Sequence, residues 1–244
     1  MIRIILCEGE TDLTLLGLYL EKVCGWTYEK SPTWSIRIPK TRLLNNEKAE
    51  NYARGSDVLK ICCVGGKDNF GLFYEKYLHR ILVSSQNKEN DFRIALMTDA
   101  DNRTAEEIQS DILMQLSPYL SDIENNVWKH NNIQNSFNES VNVDFLLTII
   151  PKQGAGALET VLMDSLAEMK DGESIVSNSK NFIDNLPEND YIPTDRLKLK
   201  SMLGVALSVI YPDKVFSQFD KQLEIVDWSK SDVLSECLSE LVKI

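Results

Sequence analysis

The chain has 244 residues, with 26 Lys and Arg against 37 Asp and Glu, and hence a formal net charge of −11. Apolar residues make up 43% and charged residues 26%, a globular balance that excludes a disordered tail and a fibrous repeat. The acidic balance argues against sequence-blind coating of DNA, which runs on Lys and Arg displacing counterions, but it leaves room for a nucleic-acid enzyme that works through bound metal.

The length accommodates one elaborated α/β domain or two small domains. No apolar run approaches the roughly 18–20 residues that span a bilayer. The run from Met1 to Cys7 meets Glu8 too early for a signal peptide. A cytoplasmic protein without a membrane partner is therefore expected. The five cysteines agree: Cys7, Cys62 and Cys63 sit inside apolar runs, and an odd count implies no disulfide framework. A zinc site is not expected, because Cys62-Cys63 lacks C-x-x-C spacing and His79 and His130 are the only histidines.

In chain order, residues 2–7 (IRIILC) form a short apolar β run. A helix follows, with Leu13, Leu16, Leu20 and Val23 at helical spacing, Thr11 as its expected N-cap, and Cys24-Gly25 at its close. Residues 30–57 are a polar, mixed insertion with one strand-like stretch at 34–38 (WSIRI). A second β run at 58–64 (VLKICCV) ends in Gly65-Gly66, and a helix through Phe70, Phe73, Tyr77 and Ile81 follows. A third run at 92–98 (FRIALMT) ends at Asp99, ahead of a helix over about 104–119 carrying Ile108, Ile112 and Leu116.

The Asn-rich stretch 122–142 reads as a surface excursion, with His130 in a polar loop. A fourth β run occupies 143–150 (VDFLLTII), followed by a loop from Pro151 to Gly156 and a helix over 157–169. Strands alternating with helices predict an α/β protein with an open, mainly parallel sheet and helices on both faces. The remainder, from about 174, lacks a strong β run and reads as a helical C-terminal extension. The expected division is a catalytic domain over 1–170 and an extension over 171–244 packed on it.

Acidic residues mark the ends of three of the four β runs. Glu8 ends the first, with Asp12 one helical turn later; Asp99 and Asp101 end the third; Glu159 follows the fourth in Gly156-Ala157-Leu158-Glu159. Ligands of open parallel sheets bind outside the carboxyl ends of the strands. Like charges brought together there raise each other's pKa unless a cation intervenes. Oxygen-only donors select Mg²⁺ or Mn²⁺ over zinc or copper. One or two such ions would serve an in-line displacement at phosphorus. The bland alternative for each piece is a turn-preceding Glu, an Asp in a helical first turn where the macrodipole favours it, and a solvated helix Glu. Gly65-Gly66-Lys67 likewise reads either as a phosphate contact at a helix start or as a tight turn that needs glycine.

Glu8-Gly9-Glu10-Thr11-Asp12 after one strand and Asp99-Ala100-Asp101 after another resemble the Toprim domain of topoisomerases, bacterial primases and overcoming-lysogenisation-defect (OLD) nucleases. The Gly-x-Leu-Glu element ending at Glu159 is similar to the OLD branch and to stand-alone OLD-type proteins, and Asp195-Arg196-Leu197-Lys198 looks like a Lys-bearing helix of the stand-alone group. The resemblance covers roughly 1–165. It implies a Toprim-like fold and metal-dependent phosphodiester hydrolysis of nucleic acid, DNA before RNA. Glu8 would act as metal ligand or general acid/base, and Asp99, Asp101, Asp12 and Glu159 as ligands. A lysine among Lys67, Lys152 and Lys198 would neutralise the transition-state charge, Lys198 by resemblance and Lys152 by proximity to the fourth strand end. Gly9, Gly65, Gly66 and Lys67 would contact phosphate. OLD nucleases carry an ATPase domain, whereas no G-x-x-x-x-G-K-[ST] loop occurs here, so a separate ATPase partner is implied. The competing reading is a non-catalytic metal- or partner-binding module. A nucleotidyl transferase would need a nucleotide pocket that the sequence does not indicate. The helical C-terminus is open to two uses, a homodimer interface or a cover for one face of the sheet.

Overall fold

The computed structural model describes residues 2–30, 48–84, 92–117, 119–187, 190–215 and 218–244. It divides into two compact units, one of residues 1–149 with 238–244 and one of residues 150–237. The division falls at the end of the fourth β run, so the helix after that run belongs with the C-terminal helices.

Among the described residues, the first unit is built on a seven-stranded open sheet. Its strands are β1 (Ile2–Cys7), β2 (Thr27–Tyr28), β3 (Lys48–Arg54), β4 (Asp57–Cys63), β5 (Phe92–Asp99), β6 (Lys129–Gln134) and β7 (Ser140–Ile150). They lie in the order β2-β3-β4-β1-β5-β7-β6. The centre is parallel: β1 pairs with β4 from Ile2↔Val58 to Cys7↔Cys63, and with β5 from Ile2↔Phe92 to Cys7↔Met97. The margins are antiparallel, with β2 on β3, β3 on β4 and β6 on β7. The near-continuous apolar sequences of β1, β4 and β5 are what strands buried on both faces require.

The two faces carry different helices. Helix α1 (Glu10–Cys24) packs against the face that takes Ile5 and Cys7 of β1 and Leu59, Ile61 and Cys63 of β4. The opposite face, with Ile4, Leu6, Cys62, Ile94, Leu96 and Phe145, is covered by α2 (Phe70–Phe73), a π-helical stretch Tyr74–His79, α3 (Arg80–Ser84) and α4 (Ala105–Leu116). The connection after β1 thus leaves on one face, and those after β4 and β5 leave on the other. This makes the carboxyl end of β1 a topological switch point, the place where such sheets bind ligands.

Several expectations are corrected. Helix α1 starts one residue after Gly9, not at a Thr11 cap, because the Asp12 carboxylate accepts the Gly9 N–H at 2.7 Å. The polar stretch 122–142 holds an edge strand, β6, and the first residues of β7. Here Asn131 and Ile133 are buried while their neighbours face outward. His130 therefore lies on a strand, 3.0 Å from Asp144 of β7, and not in a loop. The described part of the 30–57 insertion contains β3, paired with β4 along its whole length. The strand-like stretch 34–38 lies outside the described residues.

The second unit is helical: α5 (Leu158–Ala167), α6 (Gly172–Asp184), α7 (Asp195–Ile210), α8 (Phe219–Leu223) and α9 (Asp232–Cys237). Helix α5 packs on α6, α7 and α9, and α6 on α7. Ser231 donates to Ser165 across the buried α5–α9 contact at 2.8 Å. No helix among the described residues is long and apolar enough to cross a membrane.

Close packing of α2 on α4 depends on Gly71. A Cβ there would come within 2.6 Å of the Gln115 carbonyl oxygen, a backbone atom that cannot rotate aside. Gly71→Ala is expected to destabilise the first unit by about 1–3 kcal/mol through overpacking. In a thermal melt this lowers the midpoint by roughly 2–4 °C per kcal/mol.

Candidate active site at the strand ends

Glu8 stands one residue past the paired stretch of β1. The register that sets Cys7 beside Met97 brings Glu8 level with Thr98 of β5. Its side chain is only 5% exposed, so its charge needs donors from the protein. Two converge on one oxygen: the Thr98 hydroxyl donates to Oε1 at 2.5 Å and the Asp99 N–H donates to it at 2.9 Å. Both bonds go to Oε1, and neither involves Oε2.

The turn after β4 grips the same residue from the other side. Gly65 N–H and Gly66 N–H both donate to the Glu8 carbonyl oxygen at 3.0 Å. Aiming two successive N–H groups at one acceptor uses φ angles of 80° and 122°, a region open to glycine and closed to most side chains. These amides are spent on the backbone of Glu8, which supports the tight-turn reading of Gly65-Gly66. Gly9, 2.7 Å from the Asp12 carboxylate, is likewise occupied within the chain.

Lys67 follows this turn, and its ammonium lies 2.5 Å from Asp101 Oδ2. Asp101 takes a left-handed backbone, φ 50°, in the turn after β5. Asp12 and Asp99 are both buried. The structure therefore joins Glu8 to Asp99 through the Asp99 backbone N–H, and joins Asp101 to Lys67. Burial, and after it the Asp12 charge, pushes the Cys7 thiol beneath this cluster well above its ordinary pKa, which keeps it neutral.

Three other expected residues belong to the second unit. Glu159, in the first turn of α5, is buried, with Lys200 of α7 3.7 Å from its carboxylate. Lys152 pairs with Glu236 at 3.0 Å. Lys198 lines a cavity of about 530 Å³ with Ile183, Ile192, Thr194 and Asp195. Within that unit Lys200, and neither Lys152 nor Lys198, attends Glu159. Sequence reasoning also missed Thr98 and Gln115, whose amide group binds both the Lys67 carbonyl and the Gly71 N–H at 3.2 Å. The only local signal for Thr98 is a polar residue at the end of an apolar run. For Lys200 it is the second lysine of Arg196-Leu197-Lys198-Leu199-Lys200.

The donor set suits a hard cation. Carboxylate oxygens at strand ends select Mg²⁺ or Mn²⁺ over softer metals. Among the described residues no three His, Cys, Asp or Glu side chains form a group that would cage a metal. Mg²⁺ does not need one, since it keeps several waters and binds through one or two carboxylates together with substrate phosphate.

The site thus has the layout of a strand-end acidic centre in an open α/β protein. No family model matches the chain. A zinc finger FYVE domain-containing protein 16 from Mus musculus is 26% identical over 192 residues, which take in 74% of this chain and 12% of that protein. The chain therefore spans about an eighth of that relative's length. The crystal structure of a hypothetical protein from Pyrococcus horikoshii OT3 is similar over 99% of this chain and 98% of that one, with a TM-score of 0.55 and 19% identity. That likeness is one of fold.

Thr98→Val keeps the shape at the site and deletes a donor to a buried carboxylate. We expect a loss of about 1–3 kcal/mol, read as a lower urea midpoint at unchanged slope.

Proposed function

We propose that the chain is a Toprim-like, divalent-metal-dependent phosphodiesterase acting on nucleic acid, with DNA the expected substrate. The observation that carries this reading is Glu8, buried at the switch point of the sheet. Its Oε1 is fixed by the Thr98 hydroxyl and the Asp99 N–H, and Lys67 pairs with Asp101 in the turns that follow the two strands flanking β1. Glu8 and Asp99 would hold Mg²⁺ or Mn²⁺, with Asp101 and Asp12 beside them. When bound, such an ion polarises the phosphoryl oxygen and lowers the pKa of its water.

The chain's own groups orient the rest. The fixed Glu8 oxygen sets the carboxylate plane, Asp99 is presented by the N–H that binds Glu8, and a lysine meets the charge that develops on the phosphoryl oxygens. An O–P bond forms from water as the ester P–O bond breaks. The attacking water gives up one proton, and the leaving oxygen takes one up. Glu159 belongs to this proposal by the resemblance of Gly156-Ala157-Leu158-Glu159 to the OLD branch. A separate ATPase partner and a cytoplasmic setting, the latter supported by five free cysteines, complete the reading.

A second reading, a non-catalytic metal- or partner-binding module, is favoured by the lack of a caged three-carboxylate group among the described residues. Plasmid nicking separates the two. With Mn²⁺ or Mg²⁺ the wild type is expected to nick or linearise supercoiled DNA, and EDTA to abolish this. Asp99→Ala and Asp101→Ala should each lower the rate by at least about 100-fold, the cost typical of removing electrostatic support from a transition state. Metal binding by calorimetry without any cleavage would establish the module instead.

A further inference from the structure

The second unit holds a cavity of about 370 Å³ that the proposed reaction does not use. It lies where the C-terminal ends of α5 and α7 meet the stretch 225–231. Its volume falls in the range of small-molecule sites, about 300–1,000 Å³, and equals the liquid share of about twelve waters. Part of its wall is a fixed aromatic plane: the Trp228 indole is buried, and its N–H donates to the Leu223 carbonyl at 2.9 Å. Met169 and Ile225 line the same cavity, and they remain 37% and 36% exposed. Large apolar side chains left in water beside a concave wall are surface that a ligand gains by covering.

The polar groups of the lining divide by whether the chain already uses them. Ser231 accepts the Leu234 N–H at 3.1 Å and donates to Ser165 at 2.8 Å, and Ser165 donates to the Val161 carbonyl at 2.8 Å. Glu168 accepts the Val233 N–H at 3.1 Å, at the start of α9. Asp227 accepts the Ser229 hydroxyl at 2.6 Å and pairs with Lys230 at 3.2 Å. The side chains of Lys170 and Tyr211 have no hydrogen-bond or ion-pair partner among the described residues. Burial raises the Tyr211 pKa above its ordinary value, so at neutral pH its hydroxyl keeps its proton and can donate. The acids of the lining are thus engaged within the chain, while two donors, one of them a cation, are not.

We propose that this cavity binds a small organic acid, with an apolar body against Trp228, Met169 and Ile225 and a single carboxylate served by Lys170 and Tyr211. An ammonium and a hydroxyl donor are complementary to the acceptor-only oxygens of a carboxylate. A monoanion fits better than a phosphate dianion, because Glu168 and Asp227 share the lining and repel each added negative charge. The site lies within the second unit and is independent of the metal-dependent reading of the strand ends.

The test uses the full chain, with 4-phenylbutyrate as the probe and its neutral amide as the isosteric control. By titration calorimetry the wild type should bind the acid about fivefold more tightly than the amide, the upper range for an exposed charge pair. Lys170→Met should remove that preference and leave amide binding unchanged. Tyr211→Phe should weaken acid binding by about twofold or more, the loss of one hydrogen bond. In methyl-labelled protein the acid should shift the Met169 and Ile225 resonances, which locates it in this cavity. The same spectra without the acid establish that each variant is folded. Equal affinity for acid and amide would leave an apolar cleft without a carboxylate site and overturn the proposal. A preference that survives in Lys170→Met, or shifts confined to other methyl groups, would also overturn it. So would the absence of saturable binding of the acid at millimolar concentration.

Discussion

A carboxylate at the end of a buried central strand must be given hydrogen-bond donors by its neighbours, and the architecture around Glu8 answers that requirement. Removing an ion from water costs several kcal/mol unless the protein replaces its hydration. Here the replacement comes from β5, through one hydroxyl and one backbone N–H on the same oxygen. The backbone of Glu8 is held just as firmly from β4 by the two glycine N–H groups. Three strand ends are thereby tied at one residue. Fixing Glu8 fixes the relative positions of the two loops that carry Asp99-Asp101 and Lys67. The rigidity resides in strands and strand-end hydrogen bonds, while the paired side chains of Lys67 and Asp101 are about a third exposed. A site that must accept a charged ligand gains from that division, because its frame need not reorganise when its charges do.

The parts of the fold that could be read in advance are those whose pattern is local. The runs IRIILC, VLKICCV and FRIALMT are apolar because both faces of those strands are covered, and they end where the buried stretch ends. Helix α1 announced its close through Gly25, which takes the left-handed conformation expected of it. The strands β3 and β6 were not legible. KAENYAR and KHNNIQ contain residues with little preference for strand, and each becomes one by pairing with a neighbour that already is. In β6 the buried positions are Asn131 and Ile133, an alternation too short and too polar to stand out from a loop.

The candidate site divides along the same line. Glu8, Asp99 and Asp101 were visible because strand-end acids follow from a single rule about open sheets. Thr98 was not, since its partnership with Glu8 depends on the β1–β5 register and register is a tertiary property. The lysines divide in the same way. Proximity in sequence pointed to Lys152, which the second unit ties to Glu236. Lys67 and Asp101 are 34 residues apart in sequence, and the turns that carry them flank β1 because β1 lies between β4 and β5. No local pattern contains strand order.

Electrostatics places one further constraint on the proposed activity. The chain carries a net charge of −11, and Glu8, Asp12, Asp99 and Asp101 lie at or just after the ends of β1 and β5, with Lys67 paired to Asp101. A phosphodiester approaching this surface would be repelled at distances up to about 8–10 Å, the Debye length at physiological salt. A cation bound first converts the same carboxylates from a barrier into a holder of positive charge. The order of events in the proposed reaction then follows from charge alone: cation before substrate. An acidic protein can act on a polyanion by this route without the basic groove that coating proteins need, provided that bulk affinity for the nucleic acid is supplied by a partner.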